Sequence, residues 1–340
     1  MSVEIEPCTA RAAARRASHR GTPGDPIVIG LVNNMPDSAL HSTEGQFREL
    51  LEAASGAQSL RLRLSSLPEL PRGTEAREHI GRSYWPLGEL LAGPLDALIV
   101  TGTEPRAPQL TAEPYWASFV ELLRFAREHT VASIWSCLAA HAVVLSLDGI
   151  ERQRLAEKRC GVYAHTILHG HSLMSGVREP MSMPHSRWNE LAPEALRAAG
   201  YTLLSWSEET GADAFVRHDR SLLLFFQGHP EYEDTTLLKE YRRDVGRYLS
   251  GKQAHYPTLP RSYLSDEASV MLADFREEAL ASRSATRLED FPFAAVAAGL
   301  KNPWRASAVA MYRNWLSFVS AGRVDSQLRE RATHRRIENR

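Results

Sequence analysis

The stretch Val131-Ala132-Ser133-Ile134-Trp135-Ser136-Cys137-Leu138-Ala139-Ala140-His141-Ala142-Val143-Val144-Leu145 changes character at its seventh residue. Val131 to Trp135 reads as a short buried strand, and Leu138 to Leu145 opens a helix. Cys137 sits at the junction. A cysteine in an apolar run is most often simple packing. At a strand-to-helix junction, however, the free N–H groups of the first turn and the helix dipole favour a thiolate and can hold an oxyanion. This is the placement of a nucleophile elbow, with Ser136 and Leu138–Ala139 standing where such elbows usually carry glycine.

The same alternation extends outward. Ile27 to Val32 is an apolar, β-branched run, followed by the loop Asn33-Asn34-Met35-Pro36-Asp37 and a capped helix over 42–51. Leu98-Ile99-Val100 ends in Thr101-Gly102-Thr103-Glu104-Pro105-Arg106, and Tyr115 to His129 has helical spacing. Leu222 to Phe226 ends in Gln227-Gly228-His229-Pro230-Glu231, before a helix from about Thr235 to Leu249. Continuous apolar strands alternating with helices predict a doubly wound α/β fold around a mostly parallel sheet. In such sheets ligands bind beyond the carboxyl ends of the strands. The candidate loops are therefore 102–106, 136–138 and 228–231.

In the last of these, His229 and Glu231 are two residues apart, so in extended chain they point the same way. A surface turn with an incidental histidine is the plain alternative. A thiol at one strand end and His-x-Glu at a later one agree, however, on a nucleophile, a base and a group that orients the base. Cys160 reads as structural and Cys8 as idle. The histidines of His165-Thr166-Ile167-Leu168-His169-Gly170-His171 have no carboxylate or thiol beside them at ligand spacing, so no metal is expected.

Bulk properties narrow the classes. The 340 residues are 43% hydrophobic and 24% charged, ordinary for a globular protein with ample core. A net charge of −1 gives no basic field for nucleic acid. No apolar run approaches the roughly 18–20 residues of a membrane helix, and the Arg-rich N-terminus has no apolar core of a secretory signal. Three scattered cysteines make neither a disulfide framework nor a zinc site, and a reducing cytoplasm fits them. We expect a loose arm over 1–25, a core over 26–250, a helical extension over 251–325 and a charged tail over 326–340.

Several segments together resemble one family, the MetA-type homoserine O-acyltransferases, whose fold is like that of class I glutamine amidotransferases. They are Asn34-Met35-Pro36 with Thr43-Glu44-x-Gln46-Phe47; Leu98 to Gly102; Tyr115-Trp116; the Cys137 elbow; Glu157-Lys158-x-x-Gly161-Val162-Tyr163; Pro184-His185-Ser186-Arg187; Gly228 to Tyr232; Arg243-Asp244; and Trp304-Arg305 with Asn314-Trp315-Leu316. The resemblance spans roughly residues 27–320, in order.

It implies that Cys137 accepts an acyl group from acyl-CoA, that His229 is the general base and that Glu231 orients it. Lys158, Ser186 and Arg243 match substrate-binding positions. Backbone N–H groups at Leu138 and Gly102 would form the oxyanion hole. The acceptor would be L-homoserine, in methionine biosynthesis, and the protein a homodimer with no cofactor or metal.

Two positions depart from the family pattern. Asp37 and Ser38 follow Met-Pro where the family often has lysine. The position after the Thr-Gly turn that helps choose the acyl group aligns with Arg106. A cation there would favour the free carboxylate of a succinyl group, whereas Glu104 nearby would argue the other way. Acetyl-CoA as donor, serine as acceptor, a Cys-His-Glu glutaminase and a non-catalytic relative are the competing readings.

Overall fold

The computed structural model describes residues 2–8, 24–168 and 170–338. The strands are β1 (Val3–Ile5), β2 (Ile27–Val32), β3 (Leu60–Ser65), β4 (Ala97–Val100), β5 (Ala132–Ser136), β6 (Gln153–Ile167), β7 (Met181–Glu190), β8 (Thr202–Leu203), β9 (Ser205–Ser207), β10 (Gly211–Ala212), β11 (Ala214–His218) and β12 (Leu222–Phe226). The helices are α1 (Asp37–Ser55), α2 (Thr74–Ser83), α3 (Leu87–Ala92), α4 (Trp116–His129), α5 (Leu138–Asp148), α6 (Pro193–Ala198), α7 (Thr236–Leu249), α8 (Asp266–Ala281), α9 (Phe293–Ala297) and α10 (Arg305–Glu338).

Eight strands form the central sheet in the order β1-β3-β2-β4-β5-β12-β11-β8. It is parallel from β1 to β12 and closes with the antiparallel β11 and β8. The inner parallel strands β2, β4, β5 and β12 are largely apolar on both sides because both faces are covered. Ile134, Leu222, Leu224 and Phe226 pack toward α1 and α10, whereas Trp135, Leu223 and Phe225 pack toward α4 and α5. The doubly wound, mostly parallel expectation holds.

Three features differ from the sequence reading. Val3–Ile5, within the expected loose arm, is an edge strand in parallel register with Leu60–Leu62, held because Val3 is buried in the core; residues 9–23 lie outside the described residues. The C-terminal helices divide between two cores. Tyr312, Trp315 and Leu316 of α10 belong to the main core, while α8 and α9 build a third core with α7. The α10 backbone also runs on to Glu338, through most of the expected tail.

The third difference is a second sheet, antiparallel, in the order β10-β9-β6-β7. Its long strand β6 is polar and largely exposed over residues 153–159. That composition hides it from a search for apolar runs.

Candidate active site

Strand β5 delivers Cys137 to the N-cap of α5 at φ 52° and ψ −112°. Positive φ in a residue other than glycine stores about 1–3 kcal/mol, which the surrounding packing must hold. The elbow therefore forms without its usual glycines. Cys137 N–H donates to Phe226 O at 2.7 Å, and Ser136 pairs with Phe226 in the sheet. That register ties the thiol to the end of β12, the strand that carries His229.

Gly228 is required at the next step. A Cβ there would lie 2.5 Å from Met183 Cγ and 2.8 Å from Asp213 Oδ1. Its N–H donates to Asp213 Oδ1 at 2.8 Å, and His229 N–H donates to Pro184 O at 2.9 Å. The chain thus turns His229 toward Cys137. His229 Nδ1 lies 2.9 Å from Glu231 Oε1, and the ring also hydrogen-bonds the Cys137 side chain, a contact that falls to its other nitrogen. Burial pushes the His229 imidazolium down, but the charges of Glu231 and Cys137 and both hydrogen bonds lift it well above its ordinary value. Tyr232 stacks on His229 with centroids 4.2 Å apart. Asn302 and the Trp304 indole donate to Tyr232 O at 3.3 and 2.8 Å, so the C-terminal segment clamps this turn.

Gly102 explains the other wall. A Cβ on it would lie 2.9 Å from Leu138 N and 2.8 Å from Leu138 Cβ. Only glycine lets the Thr-Gly turn come this close to the first N–H of α5, a group with no intrahelical acceptor.

A cavity of about 640 Å³ opens on Cys137, His229 and Gly102. Lys158 and Ser186, from the antiparallel sheet, line it together with Glu240, Arg243 and Asp244 of α7. Lys158 Nζ donates to Asp244 Oδ2 at 2.7 Å, and Arg243 Nε donates to Asp244 Oδ1 at 3.1 Å. Ser186 Oγ donates to Glu240 Oε2, and Tyr232 Oη donates to Glu240 Oε1 at 2.8 Å. Burial pushes the Glu240 carboxyl up, but Lys158 and Arg243 hold it below the usual carboxylate range. Burial likewise opposes the Lys158 charge, which Glu240, Cys160 and Asp244 raise. Both signs of charge thus stand on one wall, as a zwitterionic amino acid needs.

Sequence reasoning passed over Glu240 as a site residue, yet it joins Ser186, Tyr232 and Lys158. One signal was present: it lies one turn before Asp244, so both face the same side of α7.

The structure places Arg106 outside the cavity lining. It is exposed, and its loop is held by Glu113 Oε1, which accepts from the backbone N–H of Arg106 and Ala107 at 2.6 and 2.7 Å. Glu104 lines the cavity instead, paired with Arg247 at 3.0 Å. Asp37 also points away, accepting from Arg72 and from Gly73 N–H. Cys8 donates to Glu89 at 3.2 Å, and Cys160 is buried. His165 bonds Thr210 at 2.8 Å. The fold also brings His185 and Asp213 beside it, ligand atoms within 4.8 Å, a grouping that spacing along the chain does not reveal. Among the described residues no helix is long and apolar enough to cross a membrane.

The family model of homoserine O-succinyltransferase matches residues 9–325. A homoserine O-succinyltransferase of Methylorubrum extorquens is 46% identical, covering 86% of this chain and 87% of its own. One of Rhodopseudomonas palustris is 44% identical, covering 88% and 90%. Among solved structures, a glutamine amidotransferase from Methylobacillus flagellatus matches 86% of this chain and 94% of its own at 16% identity and a TM-score of 0.48. The chain belongs to the homoserine O-succinyltransferase family.

Proposed function

We propose that the protein transfers a succinyl group from succinyl-CoA to the hydroxyl of L-homoserine through an acyl-thioester on Cys137, a step of methionine biosynthesis. The single observation that carries the mechanism is the strained Cys137 elbow with His229 and Glu231 behind it.

The Cys137 sulfur attacks the thioester carbonyl carbon. A new carbon–sulfur bond forms, the bond to CoA breaks, and the CoA sulfur leaves with the proton from His229. One thioester replaces another, so the step is nearly balanced. Acylation removes the sulfur charge that helped hold the His229 proton, and the ring becomes a base. The homoserine hydroxyl gives its proton to His229 as its oxygen attacks the acyl-enzyme, and the Cys137 sulfur leaves. Leu138 N–H, with the Gly102 turn beside it, supports each tetrahedral oxyanion. The charged wall of Lys158, Ser186, Glu240 and Arg243 receives the amino acid; a guanidinium suits its carboxylate. The reading includes a cytoplasmic homodimer, which sedimentation of the purified protein checks.

Initial rates of CoA release test the reaction. With succinyl-CoA and homoserine both varied, double-reciprocal plots run parallel and the product is O-succinylhomoserine. Intersecting lines, or ammonia released from glutamine instead, would overturn the proposal.

A further inference from the structure

Succinyl differs from neutral acyl groups by a free carboxylate two methylenes beyond its carbonyl. Arg106 stands outside the cavity lining, so a cation of the lining itself is the nearer partner for that charge. Most cavity cations are already engaged. Lys158 and Arg243 bind Asp244, and Arg247 binds Glu104. The Arg187 guanidinium donates to the carbonyls of Asn189 and Thr210 at 2.7 and 2.6 Å and to His185. Arg154 lies over the Trp188 ring at 4.4 Å.

Arg152 is different. It lines the cavity, its Nη1 is buried with no hydrogen-bond partner among the described residues, and it lies close enough to Cys137 to feel the charge of the sulfur. A buried unpaired guanidinium nitrogen is an expensive arrangement unless a ligand completes it. Tyr115, whose hydroxyl is also buried and unpartnered, interacts with it, and so does Glu113, whose Oε1 is occupied by two backbone N–H groups. His141, which lines the cavity, has an unpartnered Nδ1 too, but burial and then Arg187 push its ring down to about 3, so it brings no charge.

We infer that Arg152, in the lining of the same cavity as Cys137 with its buried Nη1 unpaired, binds the free carboxylate of the succinyl group and makes the acyl-enzyme step selective for a dicarboxylic donor. This rests on the transfer reaction proposed above. A guanidinium meets a carboxylate through paired N–H bonds, which a lysine ammonium cannot reproduce.

The test is the rate of Cys137 acylation without homoserine, by intact mass, using succinyl-CoA and the uncharged isostere butyryl-CoA. Wild type, Arg152→Met and Arg152→Lys are compared. The inference predicts that wild type prefers succinyl. Arg152→Met should lower the succinyl-to-butyryl ratio by roughly 10- to 100-fold, the size of a lost charge-assisted pair, and Arg152→Lys should restore part of it. Butyryl transfer by the same protein shows that it is folded. An unchanged ratio, or equal loss with both donors, overturns the inference and leaves the reaction intact. So does normal acylation coupled to a raised KM for homoserine, which would assign Arg152 to the acceptor. A wild type that takes no acyl group from either donor refutes the transfer reaction itself, and this inference with it.

Discussion

Two regions meet at the cavity, and they are built on opposite principles. The carboxyl ends of the central strands β5 and β12 carry Cys137 and His229 on turns fixed by backbone bonds, glycine contacts and buried apolar strands. The facing wall, made by β6, β7 and α7, is a set of charged side chains holding one another. The first region fixes reacting atoms, where a small displacement is expensive. The second recognises a charged substrate, whose groups can replace bonds the residues now make among themselves. On this division, damage to the strand ends should stop both half-reactions, and damage to the wall only the second.

Replacing Cys137 with Ala should give the largest effect, a loss of at least about 10^4-fold in turnover with no acyl adduct and an unchanged circular dichroism spectrum. Glu231→Gln should follow, lowering turnover by roughly 10^2- to 10^4-fold, because the ring loses its charged partner; both half-reactions should slow in stopped-flow measurements. Glu240→Gln should sharpen the contrast. It should raise the homoserine KM by about 10- to 100-fold through loss of charge-assisted bonds, while acylation by succinyl-CoA keeps its rate. If acylation slows equally, the division between the two regions fails.

Gly102→Ala would drive a methyl into Leu138. It should destabilise the fold by about 1–3 kcal/mol in urea titrations and slow acylation beyond what stability explains.

The smallest effect concerns protons. Glu231 and the Cys137 sulfur raise His229 above its ordinary value, against burial. Its contribution to stability is therefore complete below the unfolded value near 6.5 and is lost as pH rises through the folded value. Nitrogen NMR of the ring should show Cys137→Ala titrating at lower pH than wild type, with its stability falling earlier on the alkaline side.

What the sequence revealed follows the same division. β2, β4, β5 and β12 were legible because strands buried on both faces must be apolar throughout, and the strand ends then located Cys137 and His229. The helix predicted over 42–51 begins earlier, at Asp37, because no polar cap marks its start; Pro36 occupies the N-cap. The wall was harder to see. β6 is charged where it faces the cavity, so neither its strand character nor its partnership with β7 shows in an apolar pattern. Lys158, Ser186 and Arg243 came only from family resemblance, and Glu240 escaped because its partners lie far off in sequence. The placement of Arg106 was hidden for a related reason. Counting along a loop does not tell which side chains face inward, and the Glu113 clasp settles that only in three dimensions.

The central claim is that Cys137 carries the acyl group between two half-reactions. The most direct test is the intact mass of wild type and Cys137→Ala after mixing with succinyl-CoA alone, followed by L-homoserine. The account predicts one added succinyl group on wild type, none on the variant, and return to the starting mass when homoserine is added. An adduct that survives homoserine, or that forms without Cys137, would contradict it.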